Sequence, residues 1–121
     1  MIEIATKEAY KILEEDGNAS LIDVRQKSEW DLGYPDISSL NKEVTLIPID
    51  NNLDDFIIRL ANACLSKQSP LFFICRSGAR SALAADAAEK IGYSKTYNIS
   101  GGFLEWQHLG LPNKSLRDHD A

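Results

Sequence analysis

The sequence predicts an α/β domain in which a mostly parallel sheet is covered on both faces by helices. Three observations predict it. The apolar runs Leu21-Ile22-Asp23-Val24, Val44-Thr45-Leu46-Ile47 and Leu71-Phe72-Phe73-Ile74 are short and nearly continuous, as in strands buried on both faces. Segments with helical spacing alternate with them, the pattern that builds parallel sheets. Glycines and prolines fall between the two kinds of segment and punctuate them.

In chain order, residues 2–5 form a short first strand. Thr6, followed by Lys7-Glu8-Ala9, caps a helix that runs to Glu15, with Ala9, Ile12 and Leu13 on its inner face and Gly17 as its stop. The strand at 21–24 leads into a short helix over 27–32, ended by Gly33 and Pro35. Residues 40–43 read as loop, and the strand at 44–47 stops at Pro48. Leu53, Phe56, Ile57, Leu60, Ala61 and Cys64 then mark one face of an amphipathic helix. After the strand at 71–74, the alanine-rich helix over 81–90 carries side chains small enough to lie close to a sheet, and Gly92 ends it. Residues 96–99 form a last strand, Gly101-Gly102 break the chain, and 103–109 form a short helix. One domain spans 1–121, with its core over 5–112 and a polar, frayed tail over 113–121.

Composition limits what the chain can do. With 121 residues and 44% hydrophobic content it can bury a real core. A net charge of -5 lacks the basic face that nucleic acids and acidic membranes require, so neither is an expected partner. No apolar stretch approaches the roughly 20 residues of a membrane span, and Met1-Ile2-Glu3-Ile4 does not open a secretory signal. A cytoplasmic protein is the expectation. Cys64, on the inner face of its helix, reads as a buried free thiol. Two cysteines and two histidines in no ligand spacing give no support for a metal site.

The chemistry concentrates at Cys75. It ends a buried strand and opens a helix, where unpartnered amides and the helix dipole stabilise a thiolate and hold an anion. Arg76, Ser77, Gly78, Ala79 and Arg80 complete a loop that can curl around one anion. Gly78 supplies the bend, Arg76 and Arg80 the charge, and Ser77 and Ser81 close the loop by hydrogen bonds to its backbone. A cation at the helix start opposes the dipole unless an anion sits beside it, so Arg80 reads as an electrostatic member of the site. The phosphatase signature also pairs a cysteine with an arginine, but with five residues between them. Here there are four, a smaller cradle that suits one bound sulfur atom better than a phosphoryl group.

Asp23 and Arg25 lie at the carboxyl end of their strand, where ligands bind in open α/β sheets. They read as supporting residues, with Asp23 accepting from loop amides and Arg25 paired with Glu29 one turn into the next helix. Trp106 reads as core, and His108 as a surface or capping residue.

Leu21 to Arg25 followed by Glu29-Trp30, then Cys75 to Ser81, then Gly101-Gly102-Phe103 with Trp106, Gly110 and Pro112, resembles the single-domain rhodanese family over nearly the whole chain. The resemblance implies a three-layer α/β domain with a central, mostly parallel five-stranded sheet. It implies sulfurtransferase activity through a Cys75 persulfide, with no metal or organic cofactor. Thiosulfate or a related donor gives its outer sulfur to Cys75, the amides of 76–80 cradle the persulfide, and cyanide or a thiol accepts the sulfur. Arg76 resembles the charged position of thiosulfate-using members, where mercaptopyruvate-using relatives carry glycine. A thioredoxin-like or sulfur-carrier protein is a further possible partner. One stretch departs from the pattern. Members carry Gly-His-Ile and a Gly-Ala pair before Asn-Ile-Pro, whereas this chain has Gly33-Tyr34-Pro35-Asp36 and a longer path to Ile47-Pro48. The alternatives are a persulfide relay module fed by a partner protein and, third, a small-loop phosphatase or arsenate reductase.

Overall fold

The computed structural model describes residues 1–116; the expected fraying at 117–121 lies outside the described residues. Its centre is a five-stranded sheet built from β1 (Ile2–Ile4), β2 (Ser20–Asp23), β4 (Thr45–Leu46), β5 (Leu71–Ile74) and β6 (Thr96–Ile99). The strand order is β1-β6-β5-β2-β4 and every pairing is parallel, as the continuous apolar runs require. Helices α1 (Thr6–Glu15), α2 (Lys27–Trp30), α3 (Leu53–Asn62), α4 (Ala79–Lys90) and α5 (Gly102–His108) complete the layers. None of the described helices is long and apolar enough to cross a membrane.

The two sides of β5 face different cores. Leu71 and Phe73 join Phe56 and Leu60 of α3 and Ala84, Ala85 and Ala88 of α4, while Phe72 and Ile74 join Ala9 and Leu13 of α1 and Phe103 and Trp106 of α5. Successive strand residues point to opposite faces, so one apolar run of four serves both layers. The alanines of α4 let its axis approach the sheet closely, although Leu83, on the same helix, is exposed.

Several local expectations are corrected. Thr6 does not cap α1: Ala5 takes the cap position, and Thr6 is the first helical residue, fully buried. Helix α2 stops at Trp30, and α4 starts at Ala79 with Gly78 as its cap. Cys64 is not buried. Helix α3 ends at Asn62, the Ala63 amide bonds back to Arg59, Leu60 and Ala61, and Cys64 turns outward at φ 57° with its thiol exposed. The apolar spacing continues past the point where these tightened bonds close the helix.

Within residues 33–47, short elements precede a stretch over 41–43 that is loop, as the sequence predicts. Tyr34–Pro35 forms β3, which pairs antiparallel with β7 (Asn113–Lys114), so the start of the tail is paired rather than frayed. The Pro112 carbonyl accepts from both Trp106 Nε1 at 2.7 Å and the Asp36 amide at 3.0 Å, which brings the chain after α5 back to this edge. A proline is tolerated in β3 because each of these strands is an edge. Farther along, the Lys42 ammonium donates to the carbonyls of Leu13, Asp16 and Ala19 at 2.8–2.9 Å, closing the end of α1.

Candidate active site

Cys75 follows β5 directly, at the carboxyl end of the sheet's middle strand, and is 1% exposed. The Gly78 amide donates to Sγ at 3.1 Å, and the Ser81 hydroxyl lies 3.2 Å from it. Burial pushes the thiol's pKa up. The Ser81 hydroxyl and the amides of Ser81, Gly78 and Ser77 together outweigh burial and hold it below the ordinary cysteine value. Ser81 bonds the thiol itself and Asn98 Oδ1, at 2.5 Å, rather than the loop backbone. Ser77 contributes its amide, and its side chain is exposed.

Two glycines permit this curl. Gly78 has φ 101°, and a Cβ there would stand 2.6 Å from the Ser100 carbonyl oxygen. Gly102 has φ 62°, with Arg76 and Cys75 backbone atoms within 2.8 Å of any added Cβ. The close approach lets the first amides of α5 serve the loop: Phe103 donates to the Cys75 carbonyl at 2.8 Å and Leu104 to that of Arg76 at 3.2 Å. The double glycine thus brings backbone beside the site.

The arginines divide differently from the sequence expectation. Arg25 does not pair with Glu29. It forms a buried ion pair with Asp23, with Nη2 2.9 Å from Oδ2, donates to the Gly33 carbonyl at 2.8 Å, and lies 4.2 Å from the Phe103 ring centre. Asp23 also accepts from the Arg25 amide. This pair ties β2 to the turn after α2 and to α5, a scaffold role.

Glu29 instead takes Arg80, in a two-pronged bond of 2.7 and 2.9 Å. It supplies the anion that a cation in the first turn of α4 calls for. Arg80 holds the Glu29 carboxyl below its usual value of 4.5, against burial and with help from the Gln26 amide. A group lowered in the folded state stabilises the fold above its unfolded value, and that contribution disappears as pH falls through the folded value. Glu29→Gln should therefore be less stable than wild type down to pH 4.5, with the difference shrinking below it; urea unfolding across this range measures the gap.

Beside the loop is a cavity of about 300 Å³ lined by Arg25, Glu29, Leu32, Gly33, Arg76, Phe103, Leu104 and Gln107. A wider hollow of about 560 Å³ lies against residues 50–54 but includes no loop residue and no nucleophile. The smaller one is lined by Arg76, the residue after the candidate nucleophile, so it is the better candidate for a binding site.

A model of the rhodanese-like domain matches residues 5–109. The chain belongs to the rhodanese-like domain family. Sulfurtransferase-type chemistry is supported at the level of this family. The chain is 38% identical over 117 residues to an uncharacterized protein of Rickettsia prowazekii, covering 90% of this chain and 94% of that one. It is 27% identical over 111 residues to the thiosulfate sulfurtransferase GlpE of Actinobacillus pleuropneumoniae, covering 91% and 90%. Among solved structures, Rv0390 from M. tuberculosis superposes with a TM-score of 0.84 at 32% identity, over 94% of this chain and 97% of that one. The polysulfide-sulfur transferase homodimer of Wolinella succinogenes gives 0.80 at 30% identity, over 100% and 83%. This rhodanese-like chain shares the five-stranded parallel sheet of such domains, so the fold expected from the sequence holds.

Sequence reasoning missed Asn98 and Glu3. Asn98 Nδ2 donates to the Gly78 carbonyl and to Glu3, reaching the loop from the neighbouring strands. The available signal was a lone asparagine inside the strand at 96–99, a residue that strands disfavour.

Proposed function

We propose that the protein is a sulfurtransferase that takes the outer sulfur of thiosulfate or a similar anionic donor onto Cys75 and passes it to cyanide or a thiol. The observation that carries this reading is the ring of donors around Cys75 Sγ, namely the amides of Ser77, Gly78 and Ser81 with the Ser81 hydroxyl, at the buried end of β5. Such a ring favours a thiolate and can hold the negative outer sulfur of a persulfide.

The thiolate attacks the outer sulfur of thiosulfate and forms a new S–S bond. The old S–S bond breaks, and its electron pair leaves with sulfite. An acceptor nucleophile then attacks the outer sulfur of the persulfide, and the Cys75 thiolate returns with the electron pair of the broken bond. The Asp23–Arg25 pair holds Gly33 and Phe103 in place beside the site, and Arg80 is fixed by Glu29. Arg76 is exposed at the rim, where its charge attracts the anionic donor.

Mass spectrometry after thiosulfate treatment tests the reading: a gain of about 32 Da on Cys75, with release of sulfite, is the expected result. An unchanged mass overturns it. Arg76→Ala should raise KM for thiosulfate about tenfold with a smaller effect on kcat, and added salt should narrow the difference. Sulfite-release kinetics at varied ionic strength check this.

A second reading rests on the cavity. Leu32 and Leu104, 76% and 47% exposed, give it an apolar rim that a small dianion does not need. In this reading Cys75 relays sulfur between proteins, such as a thioredoxin-like or carrier protein, and reacts slowly with small donors. Slow sulfite release, together with fast persulfide uptake from a protein donor, distinguishes the relay from the enzyme.

A further inference from the structure

Asn98 is 2% exposed in the middle of β6, and its register partner on β1 is Glu3. Its amide nitrogen donates to the two Glu3 carboxylate oxygens at 2.8 and 3.1 Å and to the Gly78 carbonyl at 3.1 Å. Those oxygens only accept, so the NH2 end of the side chain is fixed and Oδ1 faces the Ser81 hydroxyl at 2.5 Å. An amide oxygen also only accepts, so Ser81 gives it a proton. The same hydroxyl lies 3.2 Å from Cys75 Sγ. A serine has one hydroxyl proton for these two acceptors.

We propose that Asn98 is a positioning residue that competes with Cys75 Sγ for the Ser81 hydroxyl proton, and so sets the share of Cys75 held as thiolate. With Cys75 as the thiol, S–H donates to Ser81 Oγ, Ser81 donates to Asn98 Oδ1, and every acceptor is served. When Cys75 ionises, Ser81 must turn its proton to the sulfur, leaving a buried amide oxygen without a donor, which opposes ionisation. The Glu3 carboxylate polarises the Asn98 amide and strengthens its hold on that proton. Among the described residues, the amides of Ser77, Gly78 and Ser81 have no competing acceptor of this kind. The other charged groups around the sulfur are Arg76 and Arg80 on the loop side, the Asp23–Arg25 pair at the end of β2, and Glu29 on α2. They are common to all the proteins compared below.

The functional meaning rests on Cys75 being the sulfur-transferring nucleophile, but ionisation is measured without any sulfur donor. The experiment follows the pH dependence of Cys75 alkylation by iodoacetamide, read by mass spectrometry in a Cys64→Ser background that removes the exposed thiol. Asn98→Leu should move the half-reaction point about one unit lower, giving about tenfold more thiolate on the rising limb. Glu3→Gln, at an exposed position and still able to accept from Asn98, should move it the same way by less, and it carries the test if Asn98→Leu does not fold. Ser81→Ala should move the point upward, and adding Asn98→Leu to it should then change nothing further. An unchanged or higher point in Asn98→Leu and Glu3→Gln overturns the proposal. So does a shift that persists undiminished in the Ser81→Ala background. If sulfur transfer fails in all these proteins while the alkylation profiles move as described, the proposed function falls and this inference stands.

Discussion

Replacing Cys75 with serine is expected to abolish sulfur transfer and leave the fold intact. The serine hydroxyl ionises far above neutral pH, and the donors that suffice for a thiol cannot bring an alkoxide into range. The buried position makes the substitution mild for folding. Serine is slightly smaller than cysteine, and its oxygen meets the Gly78 amide and Ser81 hydroxyl that Sγ meets now. A stability loss of about 1 kcal/mol is expected. Thiosulfate turnover and a urea unfolding curve on the same preparation test both halves. Turnover above background in Cys75→Ser would sink the covalent route, and a wholly unfolded variant would show that the sulfur is needed for packing.

Gly102→Ala should damage the protein through the backbone alone. An added Cβ would lie 2.3 Å from the Arg76 carbonyl oxygen, 2.6 Å from its carbon and 2.8 Å from the Cys75 carbonyl oxygen, at φ 62°. These are main-chain atoms at the root of the loop and cannot swing aside as a long side chain can. The left-handed backbone and the overpacking together should cost about 3 kcal/mol. Any relief must also lengthen the Phe103 and Leu104 amide bonds to the loop, so the alkylation rate of Cys75 should change as well. Gly17→Ala, where nothing lies within 4 Å of the added carbon, serves as the control. Equal stability of the two variants in urea would refute the steric account.

The sheet and the cysteine loop were legible because each is written in contiguous residues. A parallel strand buried on both faces leaves an unbroken apolar run, and a loop that curls on one anion needs its glycine and cations within a few positions of the nucleophile. What spacing conveys poorly is where an element stops. Cys64 continues the period of α3, yet it lies past the helix end and is exposed, because periodicity marks a face and not an end. Partner choice was also hidden. Glu29 is one turn from Arg25 in sequence, but Asp23 reaches Arg25 from two residues before it, leaving Glu29 for Arg80 across 51 positions. The pairing of Tyr34–Pro35 with Asn113–Lys114 has too few residues to show a period. Glu3 joins the site only through the register of β1 with β6, which no local pattern encodes.

The departure from the family pattern over residues 33–47 is held at both ends, by β3 pairing with β7 and by Lys42 on three carbonyls at the end of α1. Once the ends of a segment are pinned, the entropy of closing it grows only with the logarithm of its length, about 0.6 kcal/mol for each doubling. Between Asp36 and Asn41 only Ser38 and Ser39 are exposed, while Ile37 is buried in the core that holds Phe72 and Ile74 of β5, so residues can be gained or lost at little thermodynamic cost only at that exposed turn. A residue inserted between Ser38 and Ser39 should leave Cys75 as reactive as before, whereas the loss of Ile37 would open the core beneath β5.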